Sequence, residues 1–191
     1  MTIFKIQPTV QAQWYELIHE AHQQAHVTLS DDLESYLIAL LIRFTEKPDL
    51  VDSVVALEYL QGQQEIGERR RRQLRDVGDK CLLFSGLFPA RASRASLKVS
   101  HFVDIGQSAY GHLSELTASG LSVLFRALSY QFVSLMDVLQ VVRDFSARTP
   151  NLTPLEAYDL WVDTNSQQAK RCLSYYSSVL PVLVPRSSSK H

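Results

Sequence analysis

Two groups of residues in this 191-residue chain have the types and spacing to do chemistry: histidines set beside carboxylates, and a dense run of arginines. Glu16 and His19 form an E-x-x-H pair, and His22 and His26 follow close by. Glu and His three residues apart on a helix is the ligand spacing of di-iron carboxylate bundles, which need two such pairs and two further glutamates. The chain has no second E-x-x-H; His101 with Asp104 reads H-x-x-D, and His112 with Glu115 has the reversed order. A metal centre built from Glu16, His19, His101, Asp104 and His112 therefore requires two separate helices to meet. The competing reading is a wet surface, because Gln23 and Gln24 stand beside the first pair. On the second helix, His101, Asp104, Ser108, His112 and Glu115 line the side opposite Phe102, Ile105, Ala109 and Leu113. An amphipathic helix with a polar outer face explains that pattern, and a pH-sensitive or acid–base site is the functional alternative.

The arginine group opens residues 69–89, RRRRQLRDVGDKCLLFSGLFP. Four arginines in a row have the look of a phosphate- or nucleic-acid-binding cluster. Consecutive residues, however, point around a helix and do not form one face. Glu65 with Arg69, Glu68 with Arg72 and Arg75 with Asp79 are i, i+4 pairs that neutralise the run locally, while Arg69, Arg72 and Asp76 share a side. Lys80, Arg91, Arg94 and Lys98 lie beyond, and apart from Asp76 and Asp79 just before Lys80 no acid stands near them in sequence. The charge donors expected to meet a partner are Arg70, Arg71, Lys80, Arg91, Arg94 and Lys98. No aromatic side chains interleave with the arginines, which weakens a single-strand nucleic-acid reading.

Signatures of nucleophilic, nucleotide-binding and metalloprotease chemistry are missing. Ser85 sits in LFSGL, which lacks the first glycine of G-x-S-x-G. There is no G-x-G-x-x-G, P-loop, H-E-x-x-H or EF-hand loop. Cys81 falls in an apolar helical stripe, where burial raises a thiol pKa. Cys81 and Cys172 are far apart and outside any C-x-x-C, which points to a reducing cytoplasm and not to a disulfide or zinc scaffold. These absences lean the reading away from an enzyme, and no cofactor is assigned.

The elements that must position these groups are helices. Prolines at 8, 48, 89, 150, 154, 181 and 185 cut the chain into pieces of helical length. Apolar spacing of three and four predicts helices over about 9–25, 30–46, 48–62, 63–86, 100–119, 121–147 and 153–176. Thr153, Pro154 and Glu156 spell a capping box at the start of the last. Small residues at Gly78, Cys81 and Ser85 on the 63–86 helix invite a close helix–helix approach. The 121–147 segment is apolar round much of its circumference, as a central helix should be. Strand and hairpin signals are poor, and no repeat marks a solenoid. The expected fold is a single all-α domain over 1–185, a bundle of about seven helices. The 121–147 helix lies at its centre, the 30–46 and 63–86 helices pack against it, and 186–191 form a disordered tail.

Hydrophobic residues are 46% and charged residues 20% of the chain, which is globular chemistry. A net charge of −1 conceals a sharp division. Residues 1–68 carry 3 basic against 11 acidic side chains, whereas residues 69–98 carry 9 against 2. Separated signs steer partners. No stretch reaches the roughly 20 apolar residues of a membrane span, and the first residues lack the apolar core of a signal peptide. The expected function is a cytoplasmic, non-enzymatic helical protein that binds a protein or other anionic partner through residues 69–98. A helical-bundle metal or cofactor binder, and then nucleic-acid binding, are the alternatives. The apolar segment 172–185 either packs on its own bundle or covers a second copy, with packing preferred.

Overall fold

The computed structural model describes residues 9–46, 55–89, 98–145 and 152–179, and these form an all-α bundle. Helix α1 (Val10–Gln24) is capped by the Thr9 hydroxyl, which accepts from the Ala12 N–H at 3.2 Å. Helix α2 (Asp31–Glu46) carries Asp31, Asp32 and Glu34 in its first turn, where the helix dipole favours negative charge. Its Leu33, Leu37, Leu40 and Leu41 are fully buried. Helix α3 (Val55–Gln64) leads into α4 (Gly67–Leu87), and α5 (Val99–Leu116) packs along α4.

The segment read as one helix over 121–147 is divided at Gln131 into α6 (Ser119–Tyr130) and α7 (Phe132–Asp144), bent by 68°. No proline or glycine marks the break, so the periodicity runs through it. Packing sets the bend. Helix α6 buries one stripe and ties to α5 through Ser122 and Ser129, whose hydroxyls donate to the carbonyls of Ser114 and Gln107. Helix α7 is buried continuously from Leu135 to Val141 and lies against α1 and α4. It is the central element; Gln140 and Arg143 donate to the Ser85 and Gly86 carbonyls at the C-terminal end of α4, which would otherwise lack partners.

The last predicted helix is also two. Helix α8 (Pro154–Thr164) begins with the expected capping box and ends at Asn165, which adopts φ 58°. Asparagine tolerates that left-handed conformation better than most residues. Ser166 then opens α9 (Gln167–Val179) and is held by the buried Asp137 of α7. Among the described residues no single helix is long and apolar enough to cross a membrane.

The close approach invited by the small residues of α4 is used. The Tyr110 ring of α5 lies over Gly78, where an added Cβ would stand 2.6 Å from Cε1, and Leu139 of α7 lies over Gly86. Cys81, Leu82 and Ser85 are fully buried between them. Of the 172–185 segment, Cys172 and Tyr176 turn inward toward the Leu152 carbonyl, while Tyr175 faces solvent. Residues 180–185, the expected tail 186–191, and the loop bearing Arg91 and Arg94 lie outside the described residues.

Candidate functional site

The most concentrated polar chemistry lies at a residue that the charge pattern had paired elsewhere. Asp79, on α4, is only 4% exposed. Tyr36 from α2 and Tyr110 from α5 donate to its Oδ1 at 2.6 and 2.7 Å, and Arg43 from α2 donates to Oδ2 at 2.5 Å. Burial, and then the Asp79 charge, push both phenols well above the ordinary tyrosine range. They therefore act at neutral pH as fixed donors. Burial opposes the charge on Arg43, but Asp79 outweighs it and the guanidinium is held more firmly protonated. A cleft of about 300 Å³, lined by Arg43, Glu46, Arg75, Asp76 and Lys80, reaches this carboxylate. With three donors already on Asp79, the arrangement is a lock among α2, α4 and α5 and not a free general base.

Withdrawal of Asp79 into the core removes the expected partner of Arg75, whose Nη2 lies 3.8 Å from Asp76 instead. Burial and the nearby Asp79 raise the Asp76 carboxyl. Glu65 lies before the first residue of α4, so it has no i, i+4 relation to Arg69 within that helix. Glu68 pairs with Arg71, three residues on, in a bond that holds Glu68 below the ordinary carboxylate range. Arg71 also donates to the Leu116 carbonyl at 3.3 Å. The expected neutralisation is consequently incomplete: among the described residues, Arg69, Arg70 and Arg72 have no ion pair within 4.0 Å. Arg69 and Arg72 do share a side with Asp76, in a cleft of about 620 Å³ between α3 and α4. Arg71, Arg72 and Arg75 also rim a smaller cleft of about 140 Å³ with Leu113, Leu121 and Phe125 at its walls.

The basic residues farther along differ. Lys80 Nζ is 2.6 Å from Glu58 of α3. Lys98 lies 3.5 Å from Asp159 and 3.6 Å from Asp163 of α8. Lys98 has no acid close in sequence and acquires two through folding, while Lys80, which follows Asp79 in sequence, is paired by folding with an acid of another helix.

The histidines regroup as well. His19 Nδ1 is 3.2 Å from His22 Nε2 and 3.8 Å from Glu34 Oε1. His101 and Asp104 are exposed, and His112 Nδ1 instead meets the Tyr59 hydroxyl at 3.1 Å. Glu16 is exposed and lines an α1–α2 cleft of about 640 Å³, outside the His19 cluster. The two predicted helix faces therefore contribute no shared cluster among the described residues.

Neither cysteine is poised as a nucleophile. Burial raises the Cys81 thiol far above its ordinary value and takes Cys172 to about 11. The Ser85 hydroxyl donates to the Cys81 carbonyl at 2.8 Å, as a packed helical serine does. Taken together, the described residues present a locked carboxylate, an arginine face with unpaired charge, and one histidine–carboxylate corner. Comparison of the chain with protein-family models, with curated proteins and with solved structures returns no match.

Proposed function

We propose that this protein is a non-catalytic binding module that takes an acidic segment of a protein partner on the N-terminal half of α4. The observation that supports this most is the unpaired state of Arg69, Arg70 and Arg72, in a helix whose acids are engaged elsewhere. Of these, Arg69 and Arg72 are exposed. Beside them, the cleft walled by Leu113, Leu121 and Phe125 offers an apolar anchor point, and Leu121 is 57% exposed. Unpaired guanidiniums give planar, bidentate recognition of carboxylates. An adjoining apolar slot favours a peptide with alternating acidic and aliphatic residues over a bare polyanion.

Lys80 and Lys98 contribute less to this reading, since folding supplies both with carboxylates. Arg91 and Arg94 remain candidate donors by sequence alone. The test is fluorescence anisotropy with a labelled Glu/Leu peptide, at low and physiological salt, beside a Gln/Leu peptide of the same pattern. Binding that favours the acidic peptide, weakens with salt and drops at least tenfold in Arg69→Glu/Arg72→Glu supports the reading. Equal affinity for both peptides, or an unaffected double variant, overturns it. A labelled single-stranded oligonucleotide serves as the contrasting probe; preferential, steeply salt-dependent binding to it favours the nucleic-acid alternative.

A further inference from the structure

We infer that His19, His22 and Glu34 form a site for a divalent transition-metal ion, of the zinc class, that ties α1 to α2. Each residue offers one ligand atom, and the three atoms lie within 4.8 Å of one another. Zinc bonds imidazole nitrogen at about 2.0–2.1 Å, so neighbouring vertices of a tetrahedral site stand about 3.3 Å apart. The observed 3.2 Å between His19 Nδ1 and His22 Nε2 and 3.8 Å between His19 Nδ1 and Glu34 Oε1 are near that edge length.

The surroundings fit the same chemistry. His22 Nδ1 lies 3.2 Å from the Val27 carbonyl, which fixes that nitrogen as the donor and leaves Nε2 as an acceptor whose lone pair is directed at His19 Nδ1 and the cluster. Metal-binding histidines are generally oriented by such a bond from the second ring nitrogen. On His19, Nε2 lies 3.0 Å from the Gln23 side-chain amide. Without an ion, Nδ1 is the donor to His22 Nε2; a flip of the amide lets its oxygen accept from Nε2–H, and the tautomer this favours frees the Nδ1 lone pair for a metal. Tyr15 stacks on the His19 ring with centroids 5.9 Å apart. Glu34 supplies the third element: its Oε1 is buried and has no hydrogen-bond partner among the described residues. An acceptor in that position gains from a cation more than from its distant His19 neighbour. Two imidazoles and a carboxylate suit zinc, cobalt or nickel better than calcium or magnesium, which prefer all-oxygen sites. Three protein ligands leave a fourth position for water, and the His19 side chain, 48% exposed, leaves the cluster accessible.

The inference stands apart from the arginine-face reading, and its test has a different readout. Full-length protein stripped with chelator is titrated with zinc chloride against a chromogenic competitor. One equivalent per chain is expected, and zinc raises the thermal midpoint because the ion binds only the folded pair of helices. His22→Ala and Glu34→Gln each weaken binding at least tenfold and abolish the midpoint shift. His101→Ala leaves both unchanged. Cobalt-loaded protein shows the intense visible bands of four-coordinate cobalt. Glu34→Gln preserves side-chain size, and circular dichroism checks that each variant is folded. Absence of stoichiometric zinc binding overturns the inference, as does unchanged affinity in folded His22→Ala and Glu34→Gln.

Discussion

Asp79 and Asp137 are both carboxylates buried to within a few per cent, yet they are satisfied by different parts of the chain. Asp79 is held by side chains brought from 31 to 43 residues away: two phenols and a guanidinium. Asp137 is held by the start of α9, where the Ser166 hydroxyl donates at 2.6 Å and the Gln167 and Gln168 backbone N–H groups at 2.9 and 3.3 Å. The first has a full opposing charge beside it. The second leans on the partial charge of a helix N-terminus. Burial accordingly dominates at Asp137 and raises its carboxyl pKa despite its hydrogen bonds. A buried acid can thus be a strong tie between helices or a moderate cap on one, depending on what faces it.

That contrast sets an order of effects. Asp79→Ala should cost most, about 2–4 kcal/mol, because it leaves the Tyr36 and Tyr110 hydroxyls without their acceptor and takes the carboxylate from the half-exposed Arg43 guanidinium. Urea unfolding should show this as a lower midpoint at unchanged slope. Gly78→Ala attacks the same lock from below: the new methyl meets the Tyr110 ring and forces it off Asp79. Overpacking of this kind costs about 1–3 kcal/mol. Added to Asp79→Ala, it should cost less than it does alone, since the Tyr110 bond is already gone; strict additivity would refute a shared mechanism. Asp137→Ala should cost about 1–2 kcal/mol, the scale of a lost helix cap. Amide hydrogen exchange should locate its effect in the first turn of α9. A loss at Asp137 equal to that at Asp79 would erase the distinction.

The sequence made the local half of this arrangement legible. Thr153 and Glu156 are three residues apart, so their capping box is written in the order of residues, and it forms. The inner stripe of α4 with its small residues is likewise visible from spacing. Neither buried-acid arrangement could be read that way. Asp79 stands four residues after Arg75 and invites an i, i+4 pairing, but Tyr36, Arg43 and Tyr110 compete from other helices and win by burying it. The histidines teach the same lesson. Residue types on α1 suggested a metal ligand, whereas the partners at His22 and Glu34 depend on how α1 turns into α2. The positive φ of His26 in that turn carries no sequence mark beyond histidine's modest tolerance for it. The break at Gln131 was equally silent, since only packing chooses there between one helix and two, whereas Asn165 followed by Ser166 did offer a left-handed stop and a cap.

The smallest effect is a pH dependence at Asp137. Asp137 has a folded-state pKa raised above its unfolded value, chiefly by burial. Protons are then bound more tightly by the folded chain, so this group's contribution to stability is fully present below the ordinary aspartate pKa of about 3.9 and is lost as pH rises through the raised value. Asp137→Asn keeps the shape but cannot ionise. The stability of the parent relative to this variant should therefore decline as pH rises from about 4, and flatten once Asp137 is ionised in both states. Urea midpoints measured at half-unit pH steps give the difference directly. A difference that grows with pH would mean that the α9 N-terminus stabilises the carboxylate more than burial opposes it, which would make Asp137 a strong electrostatic tie and not a moderate cap.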